Sequence, residues 1–231
     1  MRLPTAVTAS RQHSQFIPRP VSRELTSAGE AVADGVYHRL SPIYDLVFGA
    51  PLQPGRVAAI RRMAISPGDH VLEVGAGTGL NFPLYPRGCQ VTAIDLSGPM
   101  LERARTRIDR DGLRHIELVE QDAATMSFAS DAFDAVYAPY VMSAVADPIR
   151  VAREMRRVCR PGGRIVILNH FRGTNPLLSW LASALSPVTV HVGFRLDLNL
   201  THLLEQARLR AASIETVNFP PMWSLVTCVK D

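Results

Sequence analysis

The chain has few cysteines, and they are not arranged in any common cysteine site. Cys89, Cys159 and Cys228 are widely spread, and no Cys-x-x-Cys pair occurs. This spacing supports neither a disulfide framework nor a zinc cluster, and the seven histidines are scattered without metal-ligand spacing. The sequence therefore predicts no metal site and a reducing, cytoplasmic setting.

Long apolar segments are also missing. After Arg2 and Pro4 the sequence continues with polar residues, where a signal peptide has an apolar stretch. The most apolar segment, residues 177–190, is shorter than the about 18 residues of a membrane-spanning helix, and it contains Ser and Pro. We therefore expect neither a secretion signal nor a membrane span.

The composition is that of one globular α/β domain with an N-terminal extension. The chain has 231 residues, of which 47% are apolar, and a net charge of +4 with a pI near 9.3. A mild positive charge suits an anionic partner such as nucleic acid or acidic lipid.

The positive charge is concentrated in residues 1–62. This region holds eight arginines and four acidic residues, and that difference of four equals the net charge of the whole chain. A basic region whose apolar residues follow a helical pattern suits an anionic membrane surface. The alternative is a lid helix that packs its apolar face on the core. We predict an N-terminal arm with lid or membrane-contact helices over residues 1–62, and a second domain over residues 63–231.

The most informative stretch is a glycine-rich turn between two short apolar runs. The first run is residues 71–74, Gly-Ala-Gly-Thr-Gly follows at residues 75–79, and a second run at 91–94 ends on Asp95. Glycines let the backbone bend at positive φ and let a ligand contact bare main chain. A carboxylate at the end of the next strand suits a ribose, because it accepts hydrogen bonds from both hydroxyls. The stretch therefore predicts a strand, a nucleotide-binding turn, a helix, a second strand and an acid.

Two features of this stretch select the nucleotide. A dinucleotide fingerprint would have its third glycine at the position of Leu80, whereas here it is Gly79. Glu73, inside the first strand, would repel a pyrophosphate and attract a cationic amine, directly or through water. With Asp95, the pattern Glu-x-Gly-x-Gly-x-Gly resembles the class I S-adenosylmethionine (SAM)-dependent methyltransferases. The alternative is a generic glycine turn in an α/β protein.

The rest of the chain alternates between strands and helices. A helix follows Ser97 with Met100, Leu101 and Ala104 on one face, and Asp147 is placed to cap another. Alternation predicts an α/β fold with a doubly wound, mostly parallel sheet, here of seven strands with an antiparallel end. The further strands are expected at residues 116–120, 131–137, 164–169, 212–217 and 224–229, and the further helices at 55–65, 148–158 and 198–210.

The resemblance implies SAM as the methyl donor, S-adenosylhomocysteine (SAH) as the product, and no metal. Ligands of a doubly wound sheet bind at the carboxyl ends of its strands. Asp122, after the third predicted strand, would accept a hydrogen bond from the adenine amine, although a turn cap is the alternative. The expected cofactor-binding residues are Tyr37, Tyr44, Glu73, Gly75, Ala76, Gly77, Thr78, Gly79, Asp95, Leu96, Met100, Asp122, Ala123 and Ala138.

Three segments narrow the resemblance. Residues 37–49, 138–143 and 169–171 resemble parts of the bacterial phosphatidylethanolamine N-methyltransferases. This implies three successive methylations of the lipid head group toward phosphatidylcholine, by a cytoplasmic enzyme that binds the inner face of the membrane reversibly. No nucleic acid partner is expected from this resemblance. The quinone C-methyltransferases share a similar tyrosine-rich segment, so a quinone precursor stays open as the acceptor.

The resemblance also assigns roles in methyl transfer. The acceptor amine must be neutral to attack the sulfonium methyl, although the pKa of a free alkylamine is about 10. Tyr37 and Tyr44 are expected to close over SAM and shape the amine pocket, Tyr140 to face the amine, and His170 to accept a proton or contact the phosphate. The expected catalytic residues are thus Tyr44, Tyr140 and His170. Arg172 and Arg195 are expected to hold the lipid phosphate. For the tyrosines the alternative is packing, for His170 a structural hydrogen bond, and for the arginines a solvated surface.

Functions of other kinds remain open as well. The methyl acceptor is alternatively a small amine or RNA. The protein is alternatively a SAM-binding or membrane-surface module without activity. A nucleotide-dependent oxidoreductase is disfavoured by Leu80 at the third-glycine position.

Overall fold

The fold is built on one seven-stranded sheet. The structure is a computed structural model that describes residues 49, 51–171, 198–218 and 221–231. The strands are β1 (His70–Val74), β2 (Gln90–Asp95), β3 (Ile116–Glu120), β4 (Phe133–Pro139), β5 (Cys159–His170), β6 (Ala211–Val217) and β7 (Trp223–Val229). The α-helices are α1 (Gln53–Met63), α2 (Gly98–Asp111), α3 (Pro148–Val158) and α4 (Leu200–Ala207), with a short 3₁₀ helix at Phe82–Leu84.

The strand order is β3-β2-β1-β4-β5-β7-β6. Neighbouring strands from β3 to β5 are parallel, whereas β7 pairs antiparallel with both β5 and β6. This confirms the predicted doubly wound sheet of seven strands with an antiparallel end. The order reverses between β1 and β4, and in such sheets ligands bind outside the carboxyl ends of the strands at that point.

Apolar side chains on both faces of the sheet make two cores. On one face, Leu72 and Val74 of β1 belong to the same cluster as buried residues of α3 and α4. On the other face, Val71 belongs to a cluster that includes buried residues of α1 and α2. Burying one such side chain contributes about 1.5–3 kcal/mol. Helices on both faces therefore fix the sheet that carries the glycine turn.

The two central helices form as their sequences predict. Met100, Leu101 and Ala104 are the buried residues of α2, which confirms the expected apolar face. At the start of α3, Asp147 Oδ1 accepts a 2.9 Å hydrogen bond from the N–H of Arg150, as its position before a proline at the first turn favours.

Strand β5 begins five residues earlier than the sequence predicts. Arg160-Pro161-Gly162-Gly163, a sequence typical of a turn, lies inside the strand, where the pairing moves from Phe133↔Cys159 to Ala135↔Arg164. The N–H of Gly162 donates to the carbonyl of Lys230, whose own N–H donates to the carbonyl of Gly163. The segment therefore stays in the sheet because the residue after β7 pairs with it.

Helix α1 spans the boundary at residues 62/63 that the sequence suggested. It packs against β4, β5, β6 and β7. The division into an N-terminal arm and a methyltransferase-like domain stays a prediction, because residues 1–48 lie outside the described residues, as does the apolar segment 177–190. Within the described ranges, none of the helices is long and apolar enough to cross a membrane.

Candidate active site

The glycine turn after β1 combines tight packing with an open centre. Gly75, Gly77 and Gly79 have φ values of 76°, 53° and 77°, which side-chain-bearing residues rarely adopt. A Cβ atom on Gly75 would lie 2.5 Å from Val141 Cγ2, and one on Gly79 would lie 2.5 Å from Phe82 Cε2. A Cβ atom on Gly77 would meet no described atom within 4 Å. The middle of the turn therefore offers bare backbone on which a ligand can rest.

Asp95, at the end of β2, holds this turn in place. Its Oδ2 accepts a 2.7 Å hydrogen bond from the N–H of Gly77, and its Oδ1 accepts a 2.9 Å hydrogen bond from the N–H of Ser97. The next residue, Leu96, has 60% of its surface exposed. An acceptor suited to a ribose and an apolar surface suited to a base are therefore adjacent.

Glu73 is completely buried beneath the turn. Its Oε1 accepts a 2.6 Å hydrogen bond from Asn81 Nδ2, and its Oε2 accepts a 2.7 Å hydrogen bond from the hydroxyl of Tyr85. Burial raises the pKa of Glu73 to about 7, against the opposing effects of the two hydrogen bonds and of Arg56. Because the carboxyl group has no exposed surface, its partners are the buried side chains of Asn81 and Tyr85. When ionised, it places a negative charge under the turn.

Sequence reasoning missed Asn81 and Tyr85. Neither belongs to a recognised motif, although an asparagine between Leu80 and Phe82 is a polar residue inside an apolar run. Asn81 is buried, and its Oδ1 has no hydrogen-bond partner among the described residues. An unpaired buried acceptor is costly, so this oxygen is suited to a ligand that donates hydrogen bonds, such as an ammonium group.

The end of β3 supplies the residues expected at the adenine. Asp122 is exposed, and its Oδ1 accepts a 2.8 Å hydrogen bond from the N–H of Ala124, which is the turn-cap arrangement named as the alternative. Ala123 is half-buried beside it. Among the other expected cofactor residues, Met100 has 9% of its surface exposed and Ala138 has none. Whether Asp122 also contacts adenine stays a prediction.

Tyr140 follows β4 with its hydroxyl group fully engaged. This hydroxyl donates a 3.0 Å hydrogen bond to the carbonyl of Leu52 and accepts a 2.9 Å hydrogen bond from Asn218 Nδ2. The guanidinium carbon of Arg56 lies 5.2 Å from the ring centroid, within the range of a cation–π contact. Burial raises the pKa of Tyr140 to about 12, so the phenol stays protonated.

His170 ends β5 as a neutral imidazole. Burial lowers its pKa, and its Nδ1 is buried without a hydrogen-bond partner in the part of the chain that the structure describes. The preceding Asn169 is buried, donates to the carbonyl of His170 at 2.7 Å, and has Oδ1 3.4 Å from Ser143 Oγ. The backbone at His170 is thus fixed by Asn169, while Nδ1 of the His170 ring has no partner among the described residues.

The structure brings most of the expected site residues to one edge of the sheet. They lie at the carboxyl ends of parallel strands or directly after them: the glycine turn with Ala76 and Thr78, Asp95 with Leu96, Asp122, Tyr140 and His170. Tyr37, Tyr44, Arg172 and Arg195 lie outside the described residues. Carboxylates around a bare backbone turn attract a cationic nucleoside that has no phosphates, and they repel a pyrophosphate.

Comparison with known proteins agrees with this geometry. A family described as a methyltransferase domain matches residues 72–167. A phosphatidylethanolamine N-methyltransferase of Cereibacter sphaeroides is 39% identical over 184 residues, which cover 78% of this chain and 86% of that protein. This chain belongs to the class I SAM-dependent methyltransferases.

Other methyltransferases are similar over smaller parts or at lower identity. A demethylmenaquinone methyltransferase of Clavibacter sepedonicus is 38% identical over 124 residues, which cover 53% of this chain and 50% of that protein. The structure of Haemonchus contortus phosphoethanolamine N-methyltransferase 2, in complex with phosphomonomethylethanolamine and SAH, has a TM-score of 0.72 at 18% identity and covers 89% of this chain and 61% of that chain. That likeness shows the shared fold.

The residues present fit the cofactor of a class I SAM-dependent methyltransferase. Asp95 would hold the ribose, Leu96 would pack on the adenine, and the backbone at Gly77 would face the nucleoside. Beneath them, the unpaired Asn81 Oδ1 and the buried charge of Glu73 suit the ammonium group of the methionine part.

Proposed function

We propose that this methyltransferase transfers methyl groups to the amine of the phosphatidylethanolamine head group, stepwise toward phosphatidylcholine. The proposal is supported chiefly by the Cereibacter sphaeroides relative, which bears that name and is matched over 86% of its length. The demethylmenaquinone methyltransferase is matched over only half of its length. The fold neighbour from Haemonchus contortus binds a methylated ethanolamine phosphate, a head-group-like amine, in its own structure.

The chemistry places one demand on the protein, which is a neutral amine. When bound, SAM supplies an electrophilic methyl group on its sulfonium. The head-group ammonium must lose a proton before transfer, because only the neutral amine has a lone pair. As the nitrogen–carbon bond forms and the sulfur–carbon bond breaks, the positive charge moves from sulfur to nitrogen, and the methylated ammonium must lose a further proton before the next methylation. Holding the two reactants in line accounts for much of the rate.

His170 is the proposed acceptor of a hydrogen bond from the amine. Its imidazole is neutral because burial lowers the pKa, so a ring nitrogen is available as an acceptor at neutral pH. A neutral ring offers no charge to a phosphate, which favours the amine over the phosphate as the partner of His170. Arg172 and Arg195 are the proposed phosphate ligands, because a guanidinium binds phosphate oxygens in pairs.

The tyrosines shape the amine pocket in this proposal. The hydroxyl of Tyr140 is held by Leu52 and Asn218, so its ring rather than its hydroxyl would face the amine. Aromatic faces favour the cationic ammonium products. Tyr37 and Tyr44 would close over SAM from the N-terminal side.

The membrane surface is part of the same proposal. The acceptor lipid lies in a bilayer, so the enzyme must bind the inner face of the membrane reversibly from the cytoplasm. The basic excess of residues 1–62 supports this, because anionic lipids attract polybasic segments. The partners we propose are therefore an anionic membrane surface and the phospholipid substrate.

The deciding experiment offers the purified protein methyl-labelled SAM and one acceptor at a time. The acceptors are phosphatidylethanolamine vesicles, phosphoethanolamine and demethylmenaquinone, and the labelled products are separated by thin-layer chromatography. We expect label in mono-, di- and trimethylated phospholipid. We also expect His170→Ala to lower kcat on vesicles at least tenfold while SAH affinity stays within twofold. Transfer only to the quinone or to the water-soluble amine would overturn the proposal.

A further inference from the structure

A closed set of hydrogen bonds joins three parts of the chain that are distant in sequence. Asn218 follows β6, and its Oδ1 accepts a 2.7 Å hydrogen bond from the N–H of Gly55 in the first turn of α1. Its Nδ2 donates at 2.9 Å to the hydroxyl of Tyr140, which donates at 3.0 Å to the carbonyl of Leu52. The first N–H groups of a helix have no partner inside it, so Asn218 satisfies one of them from across the fold.

The residue types at this contact match its geometry. A Cβ atom on Gly55 would lie 2.7 Å from Asn218 Nδ2 and 2.8 Å from Oδ1, so any larger residue would displace the amide. Asn218 has φ of 64°, a left-handed conformation that asparagine tolerates better than most residues. Asn218 is thus held by a backbone that suits it and by a helix that leaves room for it.

The same network reaches the cofactor turn from two sides. On one side, Tyr140 precedes Val141, whose side chain occupies the space that a Cβ atom on Gly75 would need. On the other side, Arg56 of α1 lies against the ring of Tyr140, and its positive charge acts on Glu73 under the turn. Arg56 Nη1 also donates a 3.0 Å hydrogen bond to the carbonyl of Gly49, ahead of the helix.

We propose that Asn218 is a positioning residue for methyl transfer, which fixes the start of α1 against the glycine turn through Tyr140 and Arg56. The proposal concerns the cofactor side of the reaction and needs no particular acceptor. It therefore stands or falls separately from the phospholipid proposal.

The variants follow from the geometry. Asn218→Gly removes the side chain and tolerates the left-handed backbone, whereas alanine would add strain. Asn218→Asp keeps an acceptor for the N–H of Gly55 but loses the donor to Tyr140. The matched control is Asn199→Ala, because Asn199 Oδ1 accepts the N–H of His202 at the start of α4 and so caps a different helix.

Two measurements on the full chain test the proposal. Hydrogen–deuterium exchange of peptides from α1 is compared with and without SAH, and SAH affinity is measured by calorimetry, with the melting temperature recorded for each variant. We expect SAH to slow exchange in α1 of the wild type and of Asn199→Ala but not of Asn218→Gly. We expect SAH to bind Asn218→Gly about three- to tenfold more weakly, the equivalent of one buried hydrogen bond, with Asn218→Asp in between.

The contrary results are equally definite. Wild-type SAH affinity and protection in Asn218→Gly would overturn the proposal. An equal loss in Asn199→Ala would assign the effect to general destabilisation and would also overturn it. If Asn218→Gly does not fold, Tyr140→Phe replaces it, because it removes one oxygen from the same network. Undiminished protection of α1 by SAH in that variant would then count against the proposal.

Discussion

At the scale of single residues, the burial of Glu73 carries an electrostatic cost. The carboxyl is buried in a strand and hydrogen bonded to Asn81 and Tyr85, and burial raises its pKa from the ordinary 4.5 to about 7. The folded protein therefore keeps this proton between about pH 4.5 and 7, where the unfolded chain releases it. By linkage, the contribution of Glu73 to the free energy of unfolding falls as the pH rises through this window and is constant above it.

Replacing Glu73 by glutamine should remove this destabilisation and show whether the carboxylate contributes to cofactor binding. Glu73→Gln keeps the shape of the side chain and can form hydrogen bonds with both neighbours. We therefore expect the free energy of unfolding of the variant, minus that of the wild type, to increase between pH 5 and pH 8 by about 3 kcal/mol at most. We also expect SAH affinity at pH 8 to fall about tenfold, because an ionised carboxylate under the turn favours the ammonium of the ligand. Urea unfolding and calorimetry at both pH values measure the two effects.

The control for this prediction is Glu102→Gln on the exposed face of α2. It should change neither quantity. A free energy difference between Glu73→Gln and wild type that does not vary with pH would show that the carboxyl does not hold a proton in the folded state.

Only some residues of the candidate site could be predicted from the sequence alone. Glu73 and Asp95 could be selected because they stand at fixed spacing from the glycines. Asn81 and Tyr85 could not, because their importance comes from where their side chains point and not from a local pattern. Asn218 lies 163 residues from Gly55, and nothing within either segment indicates the other.

At the scale of elements, the glycine turn separates two kinds of glycine. Gly75 and Gly79 leave space that the side chains of Val141 and Phe82 fill. The space beside Gly77 is not filled by any described residue. A side chain at Gly75 or Gly79 would therefore disturb the fold. A side chain at Gly77 would intrude where we place the nucleoside.

Gly77→Ala should therefore abolish cofactor binding while the protein stays folded. The left-handed backbone costs about 1–2 kcal/mol for alanine, and the added methyl occupies the space over the bare turn. Gly112→Ala is the matched control, because Gly112 also has positive φ and open surroundings but ends α2. We expect similar losses of thermal stability in both variants, and a loss of SAH affinity of a hundredfold or more in Gly77→Ala alone. Equal SAH affinity in the two variants would contradict the assignment of the glycine turn as the place where the cofactor binds.

The strands were predictable wherever a strand-like run of apolar residues, continuous or alternating, stood between turn residues. Strand β3 was predicted with its observed limits because its run is bounded on both sides. The early start of β5 was not, because Pro161, Gly162 and Gly163 locally favour a turn. Gly162 and Gly163 pair with Lys230 in the sheet, and this contact is distant in the sequence.

At the scale of the whole molecule, the charge distribution predicts that the N-terminal region binds the membrane and that the sheet binds the cofactor. Residues 1–30 contain four arginines and two acids. Deleting them should reduce sedimentation with anionic vesicles severalfold at low salt and leave SAH affinity unchanged. The attraction is electrostatic, so the difference should shrink as salt shortens the Debye length. Vesicle sedimentation at two salt concentrations measures it.

A full-length variant with these four arginines changed to glutamine separates charge from length. It should behave like the deletion. If the deletion sediments with vesicles as well as the wild type does, membrane contact by residues 1–30 is ruled out. If only the glutamine variant does, the contact does not depend on these arginines.

The position of β7 has a consequence for how the protein is made. β7 follows β6 in the chain, yet it lies between β5 and β6 in the sheet. Among the described strands β6 pairs with β7 alone, so β6 can join the sheet only after β7 has been seated against β5. Until then the sheet ends at β5, whose unpaired backbone N–H and C=O groups form an exposed edge. Such edges promote misassembly and binding by chaperones.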